Sequence, residues 1–220
     1  MGHYEFKPPQ AHNRKSEDKT GKRKSGNRGD IQKCFFIVCE GKETEPNYFN
    51  SWRLKRKKVK VEAVGTGKSA LSLVKDAIDK ISKKKFDGEV FEQVWCVFDI
   101  DDNKRGSVNA AIEMARSKDI NIAYSNEDFE LWYLLHFDYI SSAIHRKQYE
   151  KMLSKYLGEK YDKCDPDMYN KLKKFQDKAI KNAENLLKLY PSFDPEYNNP
   201  STTVHLLVKE LNTYLPKKGK

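Results

Sequence analysis

Cys34-Phe35-Phe36-Ile37-Val38-Cys39 runs straight into Glu40-Gly41-Lys42-Glu43-Thr44-Glu45, and Val94-Trp95-Cys96-Val97-Phe98 runs into Asp99-Ile100-Asp101-Asp102-Asn103. Short β-branched and aromatic runs of this kind read as strands buried on both faces, the pattern of a parallel sheet. Open α/β sheets place their ligands at the carboxyl ends of the strands. If the two strands are neighbours, several carboxylates meet at one spot. Such a cluster is unfavourable unless it is protonated or neutralised by a divalent cation. A hard ion such as Mg²⁺ suits oxygen ligands and commonly serves phosphate chemistry.

Working outward, β/α alternation begins at Lys33. The strand 33–39 leads through an acidic loop to a helix near 46–56, with Pro46 at the first helical position. A strand follows from Val59 to Val64, then a helix around 69–84 with Leu71, Val74, Ala77, Ile78 and Ile81 at helical spacing. The strand 93–99 precedes a helix near 107–117 and a strand from Ile120 to Tyr124. Ser125-Asn126-Glu127-Asp128 resembles a capping box opening a helix from about 128 to 137. Beyond 145 the strand signal fades. Leu172, Phe175, Ala179, Ala183, Leu186 and Leu187 form one helical stripe, and Pro200, Ser201 and Thr202 open a last helix with Val204, Leu207, Val208 and Leu211 inward. The fold class is therefore α/β: a mostly parallel sheet flanked by helices over 30–144, with a helical C-terminal extension over 145–220 packing on it.

Residues 1–29 hold almost no aliphatic side chains and carry eight Lys/Arg against three Glu/Asp, which predicts a disordered basic arm. The whole chain has a net charge of +10. That balance favours a polyanionic partner, nucleic acid first. Acids concentrated in one place within a basic protein suggest a division of labour, in which basic surface holds a phosphate backbone and acids hold metal. The four cysteines include no CxxC pair, which argues against zinc and for reduced packing thiols. No signal peptide and no apolar stretch of spanning length is present, so a cytoplasmic location without membrane contact is expected.

Gly65-Thr66-Gly67-Lys68-Ser69 falls short of a P-loop, since Glu62 stands where the first glycine is required. A phosphate contact at the following helix N-terminus stays open. Asp99 and Asp101 share a face if the strand continues, whereas Asp102 points elsewhere. These acids, with Glu40, either bind Mg²⁺ or cap helices and line solvated loops. Glu130 sits in the apolar run Phe129–Phe137, where a carboxylate needs a partner. Arg53, Lys55, Arg56, Lys57, Lys58 and Lys60 form a basic run behind Tyr48 and Trp52. It is either a nucleic-acid contact with stacking aromatics or a solvated turn. Lys42 and Lys68 flank the acidic loop and could neutralise a scissile phosphate. His205, at a Ser/Thr-rich helix start, either meets phosphate, assists proton transfer or is structural.

A strand ending in Glu40-Gly41 and a later strand ending in Asp99-Ile100-Asp101 resemble the Toprim fold. More narrowly, Phe36–Phe49, Phe98–Asn103, Ser125-Asn126 with Phe129–Phe137, and Asn199-Pro200-Ser201-Thr202-Thr203-Val204-His205 resemble, in that order, the motifs of the RloB family. The resemblance spans about 33–211. It implies a Toprim-like metal-dependent nuclease core cleaving RNA or DNA in antiphage defence, often beside an ATPase. A homodimer is one expected state. By position, Glu40 is implied as ligand or general acid/base, and Asp99 and Asp101 as the Mg²⁺- or Mn²⁺-binding pair. Glu45, Asp102 and Glu130 support them. Lys42, Arg53, Arg56, Lys57, Lys68 and His205 are the expected nucleic-acid contacts. The wider Toprim pattern often has an acid four residues after the glutamate, and Thr44 occupies that place here. Glu43 or Glu45 then substitutes, or a second metal is lost. The alternative to a nuclease is a non-catalytic nucleic-acid-binding or regulatory subunit.

Overall fold

The computed structural model describes residues 33–52, 59–100 and 106–215. The basic arm 1–29, the run containing Arg53, Arg56 and Lys57, and Asp101 and Asp102 lie outside them. Four strands are parallel: β1 (Lys33–Cys39), β2 (Val59–Gly65), β3 (Val90–Asp99) and β4 (Asn121–Asn126). A two-residue β5 (Ser201–Thr202) joins antiparallel to β4, and the spatial order is β2-β1-β3-β4-β5. The chain is thus α/β with a mostly parallel sheet, as its sequence predicts.

The interior strand β1, between β2 and β3, is buried on both faces, which is why its sequence is an unbroken apolar run. Cys34, Phe36 and Val38 face one layer with Val94, Cys96 and Phe98 of β3. That layer is closed by α2 (Ala70–Phe86) and α3 (Ser107–Arg116) through Leu73, Val74, Ala77, Val108, Ala111 and Ala115. Phe35, Ile37 and Cys39 face the other layer, so the two strand cysteines do point to opposite sides. This second layer holds α1 (Thr44–Asn50), α4 (Glu130–Leu134), α5 (Arg146–Leu157), α6 (Met168–Leu172), α7 (Gln176–Leu187) and α8 (Val204–Asn212), with a 3₁₀ turn at Lys173–Phe175 joining α6 to α7. Edge-to-face contacts of Tyr48 with Phe49, Phe129 and Tyr169 bind the extension to the core.

Several expectations need correction. The first helix begins at Thr44, so Pro46 is its third residue. Ser125 and Asn126 do not cap a helix; they end β4, and Ser125 Oγ meets Thr202 Oγ1 at 3.0 Å. The helix expected over 128–137 is only five residues long. Ser201 and Thr202 form β5 rather than a helix start, because Tyr124 draws them into the sheet. Its backbone N–H donates to Thr203 Oγ1, and its carbonyl accepts from Thr202 Oγ1 and from the Thr203 N–H. A strand made of hydroxyl residues has no apolar alternation to announce it. The helix α5 also escaped the sequence reading. It buries Tyr149 and Leu153 fully while presenting charge elsewhere.

Candidate active site

The chain leaves β1 towards β2 through α1, then returns across β1 to β3 through α2. The topological switch therefore lies between the carboxyl ends of β1 and β3, the ordinary ligand position of an open α/β sheet. Glu40 and Asp99 stand there. The Glu40 N–H continues the ladder to the Val97 carbonyl at 2.8 Å, and the Asp99 N–H donates to Glu40 Oε2 at 3.3 Å.

On the β2 side of this switch the loops are packed by glycine. A Cβ on Gly65 would lie 2.4 Å from the Gly41 carbonyl oxygen, and Gly67 has φ +68° beneath the Lys42 side chain. Thr66 and Gly67 N–H groups donate to the Cys39 and Glu40 carbonyls. The glycines of the incomplete P-loop thus let two backbones touch rather than wrap phosphates. Lys42 is exposed over this loop. Lys68 is held by Asp76 of α2 at 2.6 Å.

On the β3–β4 side acids gather. Glu45, only 3% exposed, turns back and accepts the Gly41 N–H at 2.9 Å. Asp128 follows β4, and Glu130, 1% exposed, opens α4. Burial pushes the Asp99 carboxyl well above its usual range, reinforced by the charges of Asp128, Glu45 and Glu130. Burial, with a hydrogen bond to Asp128, raises Glu130 to about 8. Burial likewise raises Glu45. Burial opposes ionisation of Asp128, yet hydrogen bonds from Glu130 and Asp99 and the nearby Lys163 ammonium hold it below its usual range. Burial and mutual repulsion thus bias Asp99, Glu45 and Glu130 towards their neutral forms, while Asp128 is biased towards its charged one.

Three residues of this cluster escaped the sequence reading. Asp128 belongs, in sequence, to a pattern that reads as a helix cap. Tyr161 and Lys163 come from the loop after α5, where no periodicity marks them. Tyr161 Oη donates to Glu130 Oε1 at 2.9 Å, and Lys163 Nζ lies 3.3 Å from Glu130, 3.7 Å from Asp128 and 3.7 Å from Glu150. Thr44 and Asn47 of α1, and Ser51 just past its end, donate side-chain hydrogen bonds to the carbonyls of Lys163, Cys164 and Pro166. They strap this loop over the site.

The nucleic-acid expectation for His205 is corrected. It is 2% exposed inside α8, and burial drops its pKa to about 4, leaving a neutral core histidine. The Asn199–His205 motif serves the fold by pinning β5 to β4. His136 is a packed histidine too, its Nδ1 2.9 Å from the Trp132 carbonyl.

The donor chemistry, carboxylate oxygens alone, suits a hard divalent cation. Among the described residues, however, no three His, Cys, Asp or Glu side chains are grouped so as to hold a metal ion. A complete site would need acids beyond them, and Asp101 and Asp102 follow two and three residues after Asp99. Among the described residues no helix is long and apolar enough to cross a membrane.

No curated protein and no solved structure matches this sequence significantly. The sequence model of the RloB-like protein family matches residues 35–211, which takes in all of the sheet but the first two residues of β1 and the whole acidic cluster. That match covers most of the chain, which therefore belongs to the RloB-like family.

Proposed function

We propose that this chain is a metal-dependent phosphodiesterase acting on RNA or DNA in antiphage defence, with a partner ATPase. One observation carries the reading: carboxyls from the ends of β1, β3 and β4 gather at the carboxyl end of the sheet, buried closely enough that Asp99 and Glu130 are pushed above the usual carboxylate range. A protein retains such a cluster at a cost unless something neutralises it. Mg²⁺ or Mn²⁺ there would be held by Glu40, Asp99 and Asp101, with Glu45, Asp102 and Glu130 in support. A bound ion of this kind activates water and stabilises a leaving oxygen. The chain's own contribution is to fix Glu40 against the Asp99 backbone, to keep the Glu45 carboxyl folded back on Gly41, and to present Lys42 from the exposed loop beside the site. The net charge of +10 would draw a polyanionic substrate to that loop.

The test is to incubate the protein with Mg²⁺ or Mn²⁺ and a mixed pool of tRNA, single-stranded RNA and plasmid DNA, with Asp99→Asn as control. Metal-dependent cleavage that the variant loses is expected. Equal cleavage by the variant removes the mechanism.

A second reading, a non-catalytic binding or regulatory subunit, is favoured by Lys163. Its ammonium and the hydrogen bonds among the carboxyls already neutralise part of the cluster. Binding of the same nucleic acids without cleavage, with or without the ATPase, would select it.

A further inference from the structure

We infer that Phe137, Tyr156 and Phe175, with Lys174, Lys178 and Lys181 beside them, form a platform on which unpaired bases of single-stranded nucleic acid stack. The inference rests on the reading of this chain as a nucleic-acid protein and adds which form of the polymer it holds, and where.

The rings come from three separate segments. Phe137 lies just past α4, Tyr156 in the last turn of α5, and Phe175 at the end of the 3₁₀ turn before α7. Phe137 and Tyr156 are stacked, with centroids 5.1 Å apart and planes 5° apart, and Phe175 leans on Phe137 at 5.6 Å. Polar ties hold the stack. Tyr156 Oη donates to Asp138 Oδ2 at 3.1 Å, and the Phe137 carbonyl accepts from Lys178 Nζ. Phenylalanine is ordinarily a buried residue. Here Phe175 is 36% exposed and Tyr156 37%, so the cluster faces water.

The charge beside these rings is positive. Lys174 Nζ lies 4.8 Å from the Phe175 ring centroid, and Lys178 and Lys181 stand at the next helical spacings along α7. Among the described residues, none of these three ammonium groups pairs with an acid. Asp138 and Asp177 are the acids nearest in sequence, and Glu184 of α7 is paired with Lys209 at 2.8 Å. A fixed aromatic face edged by lysines fits a polymer that offers flat bases and phosphates together. A duplex hides its base faces, so the rings select single strands.

The platform is also close to the candidate active site. Glu130 opens α4, and Phe137 stands two helical turns further on, a span on the order of 10 Å. The helix α5 runs the same way. The Arg146 N–H at its start donates to Glu127 Oε2 at 3.0 Å, beside the acidic cluster, and Tyr156 lies near its end. A single strand stacked on the rings therefore reaches the acidic end of the sheet within a few nucleotides.

Fluorescence anisotropy of the full chain in chelator tests this, with labelled oligouridylate, oligothymidylate and a duplex of equal length as probes. Chelator prevents metal-dependent cleavage, so binding is read alone. Phe175→Ala and Tyr156→Ala should each weaken single-strand binding about tenfold, the scale of one stacked base, and leave duplex binding unchanged. Phe175→Trp should hold single strands as tightly as wild type. Lys174→Gln, Lys178→Gln and Lys181→Gln combined should weaken binding and flatten its salt dependence. Should the alanine variants fail to fold, unchanged affinity in this lysine triple overturns the inference. Unchanged single-strand binding in folded alanine variants also overturns it, and leaves the patch to a protein partner. Equal losses for single strands and duplex overturn it as well, since stacking then plays no part. These results leave the proposed cleavage, assayed separately with metal, standing. No binding of any probe by wild type overturns the platform and the nucleic-acid reading together.

Discussion

The two ends of the sheet carry similar residues and treat them oppositely. At the amino end, Lys60 meets Glu89 at 2.9 Å, Lys84 meets Glu62 at 2.7 Å and Lys33 meets Glu92 at 2.6 Å. Their side chains remain partly in water. The hydrogen bond between Lys60 and Glu89 raises the lysine and lowers the acid, so each ion favours its charged form. At the carboxyl end, burial and like charge push Glu45, Asp99 and Glu130 towards their neutral forms. Charge density alone does not mark a candidate site. The mark is charge that the fold has desolvated and left imperfectly matched.

Substitutions should expose that contrast, beginning with the largest effect. Asp99→Asn should reduce metal-dependent cleavage by about a thousandfold, the scale of losing a charge-stabilising group. In chelator it should melt no lower than wild type, since it relieves repulsion within the cluster. A clear drop in melting temperature would mean that Asp99 is there for stability. Gly65→Ala should destabilise by about 3 kcal/mol, because the new methyl meets backbone at 2.4 Å and neither loop can yield cheaply. Urea unfolding would check this, and an unchanged midpoint would contradict the close packing.

Glu130 supplies a pH test. Its folded pKa, about 8, lies above the unfolded value, so its contribution is complete below the ordinary carboxylate pKa and is lost as pH rises through about 8. Asp99 acts in the same direction and Asp128 in the opposite one, its contribution being lost as pH falls. In chelator, wild type should lose on the order of 2 kcal/mol between pH 5 and 8, and Glu130→Gln should lose less. Identical pH profiles would sink the assignment. Smallest of all, Lys60→Met at the amino end should cost under about 1 kcal/mol, as an exposed pair does, and should leave the pH profile intact.

How much of this was legible beforehand follows from the same contrast. Strands β1 and β3 announced themselves because burial on both faces leaves an unbroken apolar run, and Glu40 and Asp99 were visible because each ends such a run. Glu130 stood out as an acid within apolar neighbours. Tyr161 and Lys163 did not, because they reach the cluster from an irregular loop whose position depends on side chains of α1 more than a hundred residues earlier. Asp128 was hidden by a capping pattern that β4 overrides. The pair Ser201-Thr202 was hidden because its partner is the backbone of Tyr124.

The central claim is that the carboxyl end of the sheet is a cation site. Its most direct test is the melting temperature at pH 8 as Mg²⁺ is raised to millimolar levels, in wild type and in Asp99→Asn. A ligand bound to the native state stabilises by mass action. The account predicts a rise in wild type that the variant lacks. A wild-type melting temperature that stays flat across the titration would contradict it.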